Sequence, residues 1–239
     1  MKSFDVTRAA CRLGRVAALA VWLGAAPARG EDLQLDVRKA PVIVEENFEG
    51  GADNWQPTDP ASWQIIKTPK GQVYSLFTQS KYKPPHRSPV NIALLEGPVV
   101  SDFALDVKVQ STVADYNHRS LVLVFGYQDP AHFYYVHFGK KTDDHANQIF
   151  IVNDAPRLKI STKTTPGTAW DDAWHHVRIV RTVDDGSTAV FFDNLDAPVM
   201  TAVDKTFAWG RVGIGAFDDL GNFDDLVLRG TKVDKPASP

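Results

Sequence analysis

The sequence predicts an all-β protein, a sandwich or jelly roll of antiparallel strands. Three observations carry that prediction. Short β-type runs recur from Pro41 onward, clusters of Gly, Pro and Asp separate them, and no amphipathic helical stretch of useful length lies between them. With 239 residues, 44% of them hydrophobic, the chain is long enough to close one large β domain around a full core.

"VIVEENF" and "WQII" open the series, and "FALDVKVQ" alternates apolar and polar residues at period two, as a strand with one buried face does. Within "LVLVFGY" the run "LVLVF" is almost continuously apolar, which predicts a central strand covered on both sides. "FYYVHFG", "NQIFIV", "RLKIS", "WHHVRIVR", "TAVFFDN", "RVGIGAF" and "FDDLVLRG" follow, punctuated by "YQDP", "NDAP", "DDGS", "NLDAP" and "DDLGN". In the hairpin around "TVDDGST", Val177 and Ile179 point one way, and His176, Arg178 and Val180 the other. Asp185-Gly186 supplies the positive backbone angle of the turn. No internal repeat is evident, so one domain is expected over residues 42–230.

The ends read differently. Arg8, Arg12 and Arg15 precede the apolar run "VAALAVWLGAA", and "APARG" follows it. A positive start, a short apolar middle and small residues at the cut predict a secretory signal over residues 1–30, cleaved after Ala28 or Gly30. The apolar run is far short of the ~20 residues of a membrane helix. The expected product is secreted or periplasmic, with a flexible leader (31–41), the domain, and a polar tail (231–239). Beyond residue 30 the chain holds 21 Lys and Arg against 28 Asp and Glu, a formal charge of −7. That balance argues against nucleic acid or a membrane surface as partner, because phosphates need clustered cations. The sole cysteine, Cys11, lies inside the predicted signal. The expected domain therefore has no disulfide, thiol nucleophile or cysteine metal ligand.

The ordered series "NFEGG…NWQP…SWQI", "FALDVKV", "LVFGYQDPAHFYYVHFG", "AWHHVRIVR", "VFFDN" and "GRVGIGAFDDLGNFDDLVL" resembles the concanavalin A-like lectin/glucanase superfamily. Within it the chain is most similar to the laminin-G-like and 3-keto-disaccharide hydrolase domains. The resemblance implies a two-sheet jelly roll, commonly exported, that handles a glycan or glycoside on its concave sheet. It also implies no required cofactor, but a structural calcium ion between an acid of the first strand and one of the last, here Glu49 and Asp224. Two departures count. Members often carry an arginine directly after the Phe of the "LVF" strand, where this chain has Gly126. The Glu-x-Asp-x-x-Glu strand of family 16 glycoside hydrolases is absent.

Alternation places Phe133, Tyr135 and His137 on one face of their strand and Tyr134, Val136 and Phe138 on the other. Tyr135 and His137 are candidate carbohydrate contacts, a ring to stack on sugar and an imidazole to bond its hydroxyls. They equally suit a half-wet sheet that binds nothing. In "DYNHRS", Tyr116, His118 and Arg119 are expected at the rim, where Arg119 could clamp a uronate carboxylate. His175 and His176 are adjacent on a strand and face opposite ways, so they are read as structural. "GRVGIGAF" lacks the third glycine and the helix of a nucleotide fold. Three activities remain open: glycoside hydrolysis, carbohydrate binding without catalysis, and polysaccharide elimination by a Tyr, His and Arg set.

Overall fold

The computed structural model describes Met1 and residues 40–235. The predicted signal, nearly all of the leader and the last four residues of the tail lie outside the described residues. Sixteen strands fall within them. They are β1 (Val42–Glu46), β2 (Trp55–Pro57), β3 (Trp63–Thr68), β4 (Gly71–Leu76), β5 (Asn91–Leu95), β6 (Val100–Ser111), β7 (Ser120–Asp129) and β8 (His132–Gly139). The second half supplies β9 (Gln148–Asn153), β10 (Leu158–Lys159), β11 (Ser161–Thr164), β12 (His175–Thr182), β13 (Ser187–Phe192), β14 (Met200–Val203), β15 (Arg211–Ala216) and β16 (Gly221–Lys232).

These build two antiparallel sheets packed as a jelly-roll sandwich. The nine-stranded sheet has the order β11-β14-β13-β12-β6-β16-β4-β3, with β1 paired to β16, and the seven-stranded sheet has the order β10-β9-β8-β7-β15-β5-β2. The period-two rule assigns the faces. Leu121, Leu123 and Phe125 of β7 and Tyr134, Val136 and Phe138 of β8 point into the sandwich. There they meet Leu105 and Val107 of β6 and Val177 and Ile179 of β12. Val122 and Val124 lie on the other side of β7 and are also buried, in a second cluster with Phe133, Tyr135 and Phe150. The seven-stranded sheet is therefore apolar on both faces at its centre, as "LVLVF" predicts.

Four strands escape the sequence reading. β2 and β14 have three and four residues, too few for a periodicity to show. β5 is buried at every position, so it has no alternation, and β4 opens on Gly-Gln before its buried run. "RLKIS" is two strands, since β10 pairs with β9 in one sheet and β11 with β14 in the other. The last strand also continues past Gly230, with Lys232 opposite Val100.

One strand organises the nine-stranded sheet. Along one edge of β16, Gly221–Phe223 pair with β4, while Leu226–Arg229 pair with β1. Between them the register against β6 slips by one, from Asp224 opposite Lys108 to Val227 opposite Asp106. Such a bulge bends a strand and turns its side chains out of the regular pleat.

Gly126 is explained by its backbone. Its φ is +57°, where L-residues are strained, and a Cβ there would stand 3.0 Å from the Tyr134 ring. The irregular pairing of β7 with β8 after Phe125 begins at this residue. An arginine would be strained at this position in this conformation. Gly126→Ala is expected to cost about 1–2 kcal/mol of stability, read as a lower midpoint in denaturant; an unchanged midpoint would refute this account.

Candidate functional site

Phe133, Tyr135 and His137 do share the outer face of the seven-stranded sheet, but that face is closed. Tyr135 is fully buried, with its ring 5.1 Å from Phe150 in a stacked pair. Arg157, in the turn between β9 and β10, lies over this stack, 4.6 Å from the Phe150 ring and 4.4 Å from that of Phe217. Its guanidinium donates to the Tyr135 hydroxyl at 2.8 Å. The segment between β4 and β5 spans the same sheet: the Ser80 amide donates to Asn91 of β5, and the Arg87 carbonyl accepts from the Arg157 amide. Tyr135 thus packs under protein rather than meeting a sugar. The physical reason is that a second apolar face needs a cover, and a distant polar-looking loop provides it.

The other predicted contacts divide. Tyr116 and His118 stand exposed at the rim, His118 3.3 Å from Asp143. Arg119 does not. Only 2% of it is exposed, and its guanidinium donates to the Ser111 hydroxyl and carbonyl and to Asp172. It braces the end of β6 and cannot clamp a ligand carboxylate.

Tyr116 and His137 are joined through a buried relay. The Tyr116 hydroxyl donates to Asp219 Oδ1 at 2.6 Å, and Asp219 Oδ2 accepts from the Ser120 amide at 2.7 Å. Ser120 Oγ lies 3.0 Å from Asp219 Oδ2 and 2.8 Å from His137 Nε2, while His137 Nδ1 lies 2.8 Å from the His145 carbonyl. That carbonyl can only accept, so Nδ1 carries the proton and a neutral ring presents a bare Nε2 to the Ser120 hydroxyl. Serine has one proton for two links, so its hydroxyl serves one of the two at a time. Burial, the first cause in both cases, favours the neutral forms. It holds His137 down at about 3, with the Arg157 charge adding to it, and it pushes Asp219 up. The relay ties strands together and has no opening for a substrate, since Ser120, His137 and Asp219 are all buried.

An open cleft lies on the opposite sheet. It encloses about 510 Å³ at the outer face of β4, β6, β12 and β16. The β16 bulge brings Asp224 and Asp225 to its floor beside Lys108, and the β1–β2 loop brings Asn47 and Glu49 to one wall. The β3–β4 hairpin adds Thr68 and Lys70, and the residues entering β12 add Trp174, His175 and His176, with Asp193 opposite them. The backbone is strained around it. Of five described non-glycine residues with left-handed φ, Phe48 (56°), Asp193 (57°) and Asp225 (44°) border this cleft. Phe48 anchors its loop by packing on Trp55 and Tyr74, which turns Asn47 and Glu49 outward. Strain of this kind persists where surrounding packing enforces it, and it collects at functional sites.

Most charges in the cleft are already matched. Lys108 pairs with Asp225 at 2.6 Å. Asp193 accepts from the His176 amide and contacts His175 Nδ1 at 2.9 Å, while His176 Nε2 reaches Asp106. The two histidines do face opposite ways, as alternation requires. Glu49 and Asp224, the pair expected around calcium, both line the cleft. Among the described residues no three His, Cys, Asp or Glu side chains converge as a metal set, and Lys108 stands beside the bulge. Trp174, Asn47 and Lys70 went unnoticed in the sequence. Alternation back from buried Val177 turns Trp174 outward, and a tryptophan on a wet face was the signal available.

No protein-family model and no curated protein matches the chain. Solved structures do. A carbohydrate-binding module, CBM66, from Bacillus subtilis is similar at a TM-score of 0.53 and 16% identity, covering 74% of this chain and 96% of that one. Peanut lectin in complex with a nine-residue peptide is similar at 0.52 and 14%, covering 82% and 100%. A GH43 protein from Bacillus licheniformis reaches 0.56 at 12%, over 78% of this chain and 39% of that one. At such identities the likeness is one of fold, and it places the sandwich among concanavalin A-like jelly rolls.

Two outcomes follow from the closed face. Because His137 is held neutral below the ordinary histidine range, unfolding takes up a proton there as pH falls from about 6.5 toward 3. Stability from this group is present at neutral pH and is lost on acidification through that window. His137→Asn should therefore show a shallower fall in melting temperature between pH 7 and pH 4 than the parent protein; equal slopes would refute the assignment. Arg119→Met should destabilise by on the order of 2–4 kcal/mol through the unpaired Ser111 groups, as read in chemical denaturation.

Proposed function

We propose that the protein is an exported glycan-binding module that holds its ligand in the cleft of the nine-stranded sheet, without catalysis. One observation carries the reading: four separate elements converge there on an outward tryptophan and a ring of hydrogen-bonding side chains. A pyranose ring has an apolar C–H face that suits an indole, and hydroxyls that suit carboxylates, amides and imidazoles. A volume of about 510 Å³ falls within the roughly 300–1,000 Å³ of small-ligand sites. The sequence resemblance to laminin-G-like domains supports this reading, as does the fold shared with a carbohydrate-binding module and a lectin. The N-terminal signal pattern is the basis for export.

A hydrolytic reading has one observation in its favour. The Asp224 carboxyl is pushed up, first by burial and then by the charges of Asp225 and Glu49. A carboxyl inclined to keep its proton beside a second carboxylate is the pairing glycoside cleavage uses. The resemblance to 3-keto-disaccharide hydrolase domains points the same way. Elimination by a Tyr, His and Arg set has lost its arginine, because Arg119 is buried in the frame.

A glycan panel read by binding and by release of reducing ends separates these readings. Binding without new reducing ends is expected, weakened at least about tenfold by Trp174→Ala, as loss of an aromatic anchor implies, and unchanged by Tyr135→Phe. Turnover abolished by Asp224→Asn would establish the hydrolytic reading instead. Full binding by the Trp174→Ala protein would rule out the cleft.

A further inference from the structure

We infer that the cleft selects a sugar bearing a protonated amine, because Glu49 and Asp224 face it as carboxylates that enter no direct ion pair among the described residues. The inference rests on the glycan-binding reading and names the ligand class within it.

The charge inventory of the cleft is uneven. Four carboxylates, Glu49, Asp193, Asp224 and Asp225, stand against two ammonium groups, Lys70 and Lys108. Lys108 is bonded to Asp225 and acts on Asp224 only through its charge, and Asp193 is bonded at the entry to β12. Lys70 sits exposed at the tip of the β3–β4 hairpin and makes no ion pair with another described residue. What remains for a ligand is the pair Glu49 and Asp224. One oxygen of each is occupied, by the Gln72 amide at 2.8 Å and by the Asp225 amide at 2.8 Å. The second oxygen of each is left to accept.

Glu49 is also held where it is by construction. The Gln72 amide donates to its Oε1, and the Gln72 side chain donates to its backbone carbonyl. The neighbouring residue is Gly71, at φ +132°, and a Cβ there would stand 2.1 Å from Glu49 Oε1. Only glycine lets the carboxylate settle so close to the hairpin. A fixed carboxylate facing an open cavity gains most from a donor with positive charge, since charge-assisted hydrogen bonds are about twice as strong as neutral ones. A protonated amine has three N–H donors and can reach both carboxylates at once, while the ring it is attached to lies against Trp174. A sugar hydroxyl has one donor and no charge. Burial is the first cause of the upward push on Asp224, and a bound cation would also relieve the repulsion that Asp225 and Glu49 add to it.

The test uses three matched β-1,4-linked tetramers, of glucosamine, N-acetylglucosamine and glucose, which differ only at the second carbon of each ring. Calorimetric titration of the full protein at pH 6 and low salt should give the glucosamine tetramer an affinity about tenfold above that of the glucose tetramer, the size expected of one charge-assisted contact. The acetylated tetramer should lose the advantage. Added salt should shrink it, and so should acidification, because burial inclines Asp224 toward its protonated form. In the doubly substituted protein, Glu49→Gln with Asp224→Asn, the ratio of the two affinities should fall to about one. Equal or weaker binding of the glucosamine tetramer by the parent protein overturns the inference and leaves glycan binding standing if the other tetramers bind. A preference that survives the double substitution also overturns it. Silence of all three tetramers and of the wider glycan panel removes both readings together. The comparison among ligands on the parent protein decides the matter even if the double variant fails to fold.

Discussion

One strand with two partners on the same edge is the constraint on which the nine-stranded sheet depends. β16 pairs first with β4 and then with β1 along one edge, and a one-residue bulge in its pairing with β6, at Asp224–Asp225, lies at the changeover. It places a left-handed aspartate at the junction, while Phe48, in the loop after β1, packs on Trp55 and Tyr74. The cleft is the outward side of the same event. Its floor is the bulge, and its wall is the loop that Phe48 pins. Site and fold are therefore one arrangement, and the strain is held by a cluster of large aromatic side chains.

The opposite sheet makes the contrary choice. Its outer face carries as much aromatic surface as a binding platform would, yet the protein uses that surface for its own packing. Arg157 bridges Phe150 and Phe217 and satisfies the Tyr135 hydroxyl, so cation–π contact, hydrogen bond and burial coincide in one side chain. Beneath Phe217, which stacks on His137 at 6.0 Å, the relay from Tyr116 to His145 satisfies the polar atoms that burial would otherwise leave unpaired. A buried network of this kind gains its value from being complete. Its cost is a dependence on protonation, because two links share one serine proton.

The two sheets thus divide the work by electrostatics. On the seven-stranded side, cations cover rings and a histidine is forced neutral. On the nine-stranded side, carboxylates outnumber ammonium groups around a cavity, and two of them, Glu49 and Asp224, form no direct ion pair among the described residues.

By itself the sequence determined the architecture and the faces. Period-two alternation is a property of neighbouring residues. It therefore assigned Val177 and Ile179 to the core, Phe133, Tyr135 and His137 to a common face, and His175 and His176 to opposite ones. The doubly apolar "LVLVF" announced a covered central strand for the same reason. Alternation says which residues share a side and is silent on what lies over that side. Whether Tyr135 met solvent depended on Arg157 and on the distant segment between β4 and β5, and whether Arg119 pointed to a ligand depended on Asp172 and the end of β6. Glu49 and Asp224 were paired through a resemblance, as holders of a metal. Their placement in a cleft with Trp174, with Lys108 already committed beside them, was decided only when β16 exchanged one partner for another. Long-range pairing of that kind leaves no trace in local pattern, because it is a choice among strands that each look complete.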